Sequence, residues 1–153
     1  MHGRCTCGDV TYRLTDSFLC VHCCHCRWCQ RETGSAFVLN GLIETRHLEV
    51  TGAAEAVLTP SASGKGQEIR RCPRCRVALW SHYAGAGPRF AFVRCGTLDA
   101  ALEIAPDVHI FTETKLPWVT LPPEVPAFAE FYRRSEVWAP AALARRQAEL
   151  ERA

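Results

Sequence analysis

The chain has 153 residues, of which 48% are apolar and 22% charged, and its formal net charge is +2 at pH 7. This length fits one domain, which typically buries about 68–70% of the surface that its unfolded chain would expose. Five arginines and three glutamates lie in residues 133–153, and their surplus equals that of the whole chain, so composition disfavours a nucleic-acid binder.

The N-terminus and the apolar runs bear on localisation. Met1–Thr11 has no apolar core of the signal-peptide type and carries two cysteines, so no signal peptide is predicted. The longest apolar runs, such as Ala36–Leu39 and Phe90–Val93, are far too short to span a membrane. We therefore expect a cytoplasmic protein without a membrane partner.

Short alternating segments separated by turn residues predict a mainly β fold. The predicted strands are Val10–Leu14, Phe18–His22, Ala36–Ile43, His47–Thr51, Ala54–Thr59, Gln67–Arg71, Ala78–His82, Arg89–Val93 and Val108–Phe111. Thr59–Gly66 and Ala84–Pro88 are rich in turn residues and predict loops. We expect a small β-sandwich-like fold of several short antiparallel sheets, with short helices near the C-terminus.

The C-terminal part is predicted to change character. Leu121–Pro126 contains three prolines and favours an extended, helix-resistant segment. Ala127–Arg134 predicts a short helix, and Pro140–Arg152 predicts a final helix with proline near its start. The apolar stripe of that last helix is thin, with Leu143 and Leu150, so we expect it to lie loosely on the surface.

Ten cysteines are the most informative feature of the sequence. Their share is below the roughly 8–10% of disulfide scaffolds, and clustered cysteines in a reducing compartment more often bind metal. Seven of them fall into three groups: Cys5-x-Cys7-Gly8, Cys24-x-Cys26-x-x-Cys29 and Cys72-Pro-x-Cys75.

Two two-cysteine arms predict a closed structural zinc site. The arms are Cys5 with Cys7, and Cys72 with Cys75. Residues two apart on a strand face the same side, a C-x-x-C turn brings two sulfurs together, and zinc accepts four thiolates tetrahedrally. Five arginines flank these ligands in sequence and could balance the charge of the cluster: Arg4, Arg70, Arg71, Arg74 and Arg76. The alternative is that the four cysteines are buried or free thiols.

The remaining group, Cys24, Cys26 and Cys29, predicts an open metal site. The three cysteines span six residues, and three protein ligands with a vacant fourth position are typical of catalytic zinc. The alternative is a closed site with a fourth protein ligand.

Strand alternation names the residues that could close this site. Cys20 and His22 would face the same side as Cys24 and Cys26, so either could be the fourth ligand. Cys23 and His25 would point the other way, which disfavours them.

The charge of the open site indicates its chemistry. Zinc with three thiolates is electron-rich and a weak Lewis acid, whereas zinc-hydroxide hydrolysis relies on neutral histidine ligands. A thiol that enters the vacant position would be deprotonated by the metal, which yields a nucleophile at neutral pH. This favours making or breaking a carbon–sulfur bond on a small thiol.

The order of these motifs resembles the glutathione-dependent formaldehyde-activating enzyme family. The resemblance rests on Gly3-x-Cys5-x-Cys7-Gly8-x-Val10-x-Tyr12, Cys24-His25-Cys26-x-x-Cys29, Gly34-Ser35-x-Phe37, Cys72-Pro73-x-Cys75, Leu79-Trp80, Gly96-Thr97-Leu98-Asp99 and His109-Ile110-Phe111-x-x-x-Lys115-x-Pro117-Trp118. It runs from Gly3 to about Phe128. We therefore interpret 1–153 as a single zinc-binding domain, with a core at 3–128 and a C-terminal helical tail at 129–153.

The resemblance implies a mostly β fold with two zinc ions per chain. It assigns a structural zinc to Cys5, Cys7, Cys72 and Cys75, and a catalytic zinc to the other three cysteines, Cys24, Cys26 and Cys29. It also implies carbon–sulfur lyase activity, of the S-(hydroxymethyl)glutathione synthase type, on adducts such as S-hydroxymethylglutathione. The expected partner is glutathione or another low-molecular-weight thiol, and a homodimer is left open.

Two departures from the family pattern bear on these roles. Arg76 replaces the usual glycine after the second C-P-x-C cysteine, which is expected to change the knuckle turn. Gln30 follows Cys29 where relatives often have arginine, with Arg31 next, so a substrate-holding role for that arginine is in doubt. Cys20 and Cys23 add thiols beside the open site.

Other residues are given structural interpretations. Trp80, Phe111 and Trp118 are predicted to be core aromatics rather than substrate contacts, and Cys95 a small buried side chain. His109 is interpreted as structural. The roles of Asn40 and Lys115 are left open between substrate contact and solvent exposure.

Overall fold

Ten β-strands form two sheets in the computed structural model, which describes residues 1–152. The strands are β1 (His2–Arg4), β2 (Thr11–Leu14), β3 (Cys20–Cys24), β4 (Val38–Glu44), β5 (Leu48–Thr51), β6 (Glu55–Thr59), β7 (Gln67–Arg71), β8 (Ala78–Tyr83), β9 (Phe90–Arg94) and β10 (Val108–Ile110). The helices are α1 (Arg27–Thr33), α2 (Arg134–Val137) and α3 (Pro140–Glu151). The mainly β fold with short helices near the C-terminus is confirmed.

The two sheets differ in size and composition. The smaller one has the strand order β1-β2-β5 and is antiparallel. The larger one has the order β10-β3-β4-β9-β8-β7-β6. Its pairs are antiparallel except β3 with β10, which is parallel. The expectation of purely antiparallel sheets is therefore wrong at this edge, where β10 runs alongside the strand that leads into the three-cysteine segment.

The central strands of the large sheet are buried on both faces. Ile43, Ala91 and Val93 belong to one core cluster, which also contains Cys5 and Cys72. The residues that alternate with them, among them Leu42 and Phe90, belong to a second cluster, which also contains Cys24, Cys26 and Cys29. Because successive strand side chains point to opposite faces, each cysteine group lies beside one face of the sheet.

The nine predicted strands are all present, with ends that differ by no more than two residues. The largest shift is in β3, which begins at Cys20 rather than at Phe18 and extends to Cys24. Sequence analysis missed β1 and α1. Both are short, and α1 presents few apolar residues from which a helical period could be recognised.

The tail was predicted only in part. The final helix was predicted correctly, but Ala127–Arg134 is not helical up to α2. Ala127 instead pairs with His109, and the Phe128 N–H donates to the His109 carbonyl at 2.9 Å. The backbone of this segment therefore extends the sheet edge beyond β10. Residue 153 of the predicted tail lies outside the described residues.

Helix α3 is anchored by ion pairs rather than by apolar packing alone. Arg145 pairs with the fully buried Glu44 of β4 at 2.6 Å, and Glu149, itself buried, pairs with Arg46 at 2.8 Å. The expectation of a loosely lying helix is wrong, because buried carboxylates need such partners. No helix within residues 1–152 is long and apolar enough to cross a membrane.

Candidate metal centres and pocket

The fold brings Cys5, Cys7, Cys72 and Cys75 together, with their sulfurs all within 4.8 Å of one another. The Cys7 Sγ lies 3.5 Å from that of Cys5 and 3.6 Å from that of Cys72. A tetrahedral zinc with bonds of about 2.3 Å requires sulfurs about 3.8 Å apart. The four sulfurs therefore fit one ion, although the two arms are 65 residues apart in sequence.

Backbone hydrogen bonds shape both arms of this four-cysteine group. The Cys5 N–H donates to the Val10 carbonyl at 2.9 Å, and the Cys72 N–H donates to the Val77 carbonyl at 3.0 Å. The Val10 N–H in turn donates to the Cys5 sulfur at 3.3 Å. The backbone N–H of Val77 helps to lower the pKa of Cys75 to about 6. Each arm thus presents its sulfurs from a closed turn with backbone donors directed at them.

The turn after Cys75 keeps the geometry of a glycine turn. Arg76 has a φ of 63°, in the left-handed region that favours glycine. Its N–H donates to the Cys72 carbonyl at 2.9 Å. The expectation that arginine changes the knuckle turn is therefore wrong: the turn is retained, and the arginine side chain bears about 1–2 kcal/mol of steric cost.

The arginines around the four-cysteine group are engaged elsewhere. Each of the five forms an ion pair with a carboxylate: Arg4 with Asp99, Arg70 with Glu68, Arg71 with Glu32, Arg74 with Asp9, and Arg76 with Glu55. These ion pairs share the positive charge with the carboxylates. The pKa of Arg74 is raised by Asp9 first and also by Cys7 and Cys72, so the counter-charge role stays a prediction.

The three-cysteine group is built on the transition from β3 to α1. Cys24 ends β3, and Cys26 is the N-cap of α1, where its sulfur accepts from the Cys29 N–H at 3.4 Å. The sulfurs of Cys24, Cys26 and Cys29 lie within 4.8 Å of one another, and all three residues are buried. At the other end of the helix Gly34 has a φ of 65°, so it closes α1 with the left-handed cap that glycine favours.

Gln30 stabilises the loop behind this group. Its side-chain N–H₂ donates to the backbone carbonyls of His25 at 2.6 Å and Thr114 at 2.9 Å, and the residue is buried. It does not line the pocket described below. Gln30, which stands where relatives often have arginine, therefore stabilises the backbone and does not reach the pocket.

The three thiols compete for negative charge. The hydrogen bond from Cys24 lowers the pKa of Cys26 to about 3, whereas the hydrogen bonds to Cys26 and Cys29 raise the pKa of Cys24 far above its usual range. One thiolate therefore forms easily and disfavours the next. Three thiolates in one buried group require a cation, and soft sulfur ligands suit zinc better than magnesium or calcium.

A cavity of about 400 Å³ opens onto the three cysteines. All three line it, together with His22, Asn40 and Phe92 from the sheet, Phe111 directly after β10, and Lys65 and Gly85 from two loops. Phe131 and Arg134 of the tail line it as well. The volume is in the range of small-molecule sites.

Cys20 and His22 do not join the three-cysteine group. Both contact the Tyr132 hydroxyl, with His22 Nε2 at 2.8 Å and the Cys20 sulfur at 3.4 Å. Trp138 Nε1 donates to the same hydroxyl at 2.7 Å. Burial lowers the pKa of His22 to about 4, so its ring is neutral at pH 7 and forms part of this buried network.

Arg94 is a buried cation that sequence analysis overlooked. It is 5% exposed, and its guanidinium donates to the Asn40 side-chain oxygen. Among residues 1–152 it forms no ion pair, and its Nε and Nη2 have no hydrogen-bond partner. The hydrogen bond with Cys24 lowers the pKa of Cys29, but the contact with Cys26 and burial raise it to about 12, and the Coulomb attraction of Arg94 opposes this rise only in part. A buried cation without a carboxylate partner suits a site that gains negative charge.

Several single-residue interpretations are corrected by the structure. Trp80 and Cys95 are buried as predicted, but Trp118 is 72% exposed. Phe111 packs against the second core cluster as predicted and also lines the pocket. Lys115 donates to the Val119 carbonyl at 2.6 Å and lies away from the pocket. Sequence analysis gave no signal for Phe131 or Arg134, because their place beside β3 depends on the path of the tail.

Comparison with known proteins agrees with the motifs. Residues 1–114 match the glutathione-dependent formaldehyde-activating enzyme family, and the chain belongs to this family, as predicted. No curated protein matches it. A Rhodobacter sphaeroides protein solved as a Northeast Structural Genomics target is similar, with 22% identity and a TM-score of 0.49, over 65% of this chain and 88% of that one.

Membership links the chain to glutathione-related formaldehyde chemistry, and its cysteine groups can hold metal ions. The matched region contains both predicted metal sites. It ends before the tail residues that line the pocket.

Proposed function

We propose that this protein is a zinc-dependent enzyme that makes or breaks the carbon–sulfur bond of a small thiol adduct, such as S-hydroxymethylglutathione. The observation that carries the proposal is the placement of Cys24, Cys26 and Cys29 around one point on the wall of a cavity. Such a reaction belongs to the carbon–sulfur lyases. We infer that Cys5, Cys7, Cys72 and Cys75 hold a second, structural zinc.

The ligand set supports an open site. No other histidine, cysteine or carboxylate within residues 1–152 places a ligand atom in the three-cysteine group. The alternative function, a binding module with a closed second zinc site, needs a fourth protein ligand. Its two candidates, Cys20 and His22, are engaged with Tyr132, which disfavours the alternative.

The charges around the pocket favour an anionic thiol. Lys65 and Arg134 line it and are exposed at its mouth, and its lining includes no aspartate or glutamate. A tripeptide thiol such as glutathione has two carboxylates, which these cations can attract. The thiol end is then directed toward the cysteines at the cavity floor.

The chemistry proceeds by addition of sulfur to a carbonyl carbon. When bound, zinc lowers the pKa of the incoming thiol so that it reacts as thiolate at neutral pH. The sulfur forms a bond with the aldehyde carbon, the carbonyl π electrons move to oxygen, and that oxygen takes up the proton that the thiol lost. No oxidant or reductant is needed, and the reverse sequence releases aldehyde and thiol.

The chain contributes positioning and an apolar enclosure. Phe92, Phe111 and Phe131 surround the cavity and exclude water from the reacting atoms, which strengthens electrostatic interactions there. Asn40, held by Arg94, directs a polar side chain into the cavity. Neutral His22 lies beside it, and we assign these two residues to orienting the aldehyde oxygen.

The direct test is exchange of ¹³C-formaldehyde with its glutathione adduct, measured by NMR. We expect the metal-loaded protein to accelerate exchange, and Cys26→Ser to abolish the acceleration with loss of one metal. Cys95→Ser replaces a buried cysteine outside both sites and should leave both unchanged. If the fully metal-loaded protein fails to accelerate exchange with every cellular thiol that is tested, the proposal is wrong.

A second test addresses the anionic part of the substrate. Arg134→Gln and Lys65→Gln should each raise KM for glutathione several-fold, because each removes one attractive charge near the mouth. Neither should change KM for 2-mercaptoethanol, which has no carboxylate. Equal effects on both thiols would contradict the assignment of these residues to carboxylate recognition.

A further inference from the structure

The face of β3 opposite to the three-cysteine group carries a second set of ligand atoms. Cys23 alternates with Cys24 and therefore points to the other side of the sheet. Its partner across the parallel pairing is His109 of β10. His25 continues the same side, since its N–H still donates to the Ile110 carbonyl at 3.0 Å. Three ligand-bearing side chains thus meet on one face because of strand register.

The three side chains converge closely and are shielded from solvent. Cys23 Sγ, His25 Nε2 and His109 Nδ1 lie within 4.8 Å of one another. The His25 Nε2 is 3.5 Å from the Cys23 sulfur and 3.0 Å from His109 Nδ1. Cys23 is 2% exposed, His25 0% and His109 5%. Backbone pairing of His109 on both sides, to β3 and to Phe128, holds the group in place.

Hydrogen bonding alone does not use all three groups fully. A neutral imidazole nitrogen carries either a proton or a lone pair, so the His25 Nε2 must share that single proton or lone pair between His109 and Cys23. A cation at the centre would take a lone pair from all three. Tetrahedral zinc requires about 3.6 Å between nitrogen and sulfur ligands and about 3.4 Å between two nitrogens, so a small ring rotation completes the geometry.

We propose that Cys23, His25 and His109 form a third metal site, for zinc or a similar borderline-soft divalent ion. One thiolate and two imidazoles are ligands that suit such ions. A divalent ion there carries one net positive charge, whereas the same ion on three thiolates carries one net negative charge. The two sites lie on opposite faces of one strand, so their charges attract through the sheet.

The outer contacts of the two histidines set the expected affinity. The remaining ring nitrogens, His25 Nδ1 and His109 Nε2, are buried without a hydrogen-bond partner within residues 1–152. Metal-binding histidines usually donate this second N–H, and loss of such a partner typically costs about 10–100-fold in affinity. The third site should therefore bind its metal more weakly than the two cysteine-only sites.

The test is titration of the metal-free protein with Co²⁺ under reducing conditions, followed by absorption spectroscopy. We expect three equivalents to bind. The last and weakest should add little sulfur-to-cobalt charge transfer, because it has one thiolate instead of three or four. Cys23→Ser and His109→Gln should each reduce the capacity to two equivalents and remove only that weakest step.

Cys95→Ser is the matched control, since it also removes a buried thiol, and it should still bind three equivalents. The proposal is overturned if the unsubstituted protein saturates at two equivalents. It is equally overturned if both Cys23→Ser and His109→Gln retain three. Because the spectrum identifies which step is lost, the result is independent of whether the three-cysteine site is catalytic.

Discussion

The two cysteine-only groups have the same type of ligand but differ in which chain segments supply the ligands and in whether the ligands line the cavity. In the four-cysteine group, two turns that are 65 residues apart in sequence meet, and no ligand lines the cavity. In the three-cysteine group, all ligands come from one strand end and the first turn of one helix, and all of them line the cavity. A metal that joins distant segments stabilises the fold, whereas a metal held by one segment adds little to the fold and can have a free coordination position.

The largest expected effect follows from this difference in connectivity. Cys72→Ser should abolish cooperative folding, because about 10–16 kcal/mol of metal-binding free energy at such a site is also folding free energy. Cys26→Ser should leave a cooperative thermal transition, measured by circular dichroism, and remove one metal. If Cys72→Ser melts as the unsubstituted protein does, the structural role of the four-cysteine group is wrong.

We expect substitutions in the tail to affect the three-cysteine group and not the four-cysteine group. Arg145→Met leaves the buried Glu44 carboxylate unpaired, which should cost about 3–5 kcal/mol in urea denaturation. It should also speed metal release to a colorimetric chelator from the three-cysteine site, whose core cluster includes Trp138 of the tail. Release from the four-cysteine site should not change.

A matched control for this variant is Arg13→Met. Arg13 pairs with Glu49 at 2.7 Å, but both side chains are more than half exposed. An exposed ion pair contributes about 0–1 kcal/mol, so this variant should differ little from the unsubstituted protein. Equal losses in the two variants would mean that burial of Glu44 is not the cause.

Substitution of His22 tests whether this residue is a structural neighbour of the three-cysteine group or its fourth metal ligand. His22→Asn should retain the full metal content and lower the unfolding free energy by about 1–3 kcal/mol at pH 7, because the Tyr132 hydroxyl loses a buried partner. Loss of a metal would show instead that His22 closes the site.

The same variant has a defined pH signature. The pKa of His22 falls from 6.5 to about 4 on folding, so the folded state binds fewer protons between these values. Its contribution is present above pH 6.5 and is lost as the pH falls toward 4. The stability difference between the two proteins should shrink over this range, measured by urea denaturation at each pH.

The smallest effect should come from the turn of the four-cysteine group. Arg76→Gly relieves the left-handed backbone cost but removes the exposed pair with Glu55. Relief of about 1–2 kcal/mol of backbone cost less about 0–1 kcal/mol for the exposed pair leaves a stabilisation of about 0–2 kcal/mol. Any loss of stability in thermal melts would show that the arginine side chain contributes more than its turn conformation costs.

Sequence predicted the ligand groups well, because spacing alone determines which sulfurs can meet. The strand geometry expected for C-x-C is wrong for Cys5 and Cys7, which lie in a turn after β1, but the short spacing still keeps their sulfurs together. Alternation along β3 correctly placed Cys23 and His25 away from Cys24. The nine predicted strands followed from alternation in the same way. The short helix α1 was not predicted, because its residues show no helical apolar period.

What could not be predicted depends on contacts between distant segments. His25 and His109 are 84 residues apart, so the parallel pairing of β10 with β3 and the approach of His109 to Cys23 had no local signal. Arg145 and Glu44 are 101 residues apart. Because their ion pair anchors α3, the thin apolar stripe of this helix did not indicate how firmly it is held. Trp118 is exposed rather than buried for the same reason: exposure is a property of the assembled chain and has no local signal.

The aromatic and basic wall that the tail adds to the cavity lies beyond the part of the chain that matches the family. Phe131 and Arg134 share no strand with the cysteines and contribute no ligand. If the proposed function holds, substitutions there would alter which thiol is accepted without touching a cysteine of either group. The part of the cavity that selects the thiol could then vary separately from the part that the family match covers.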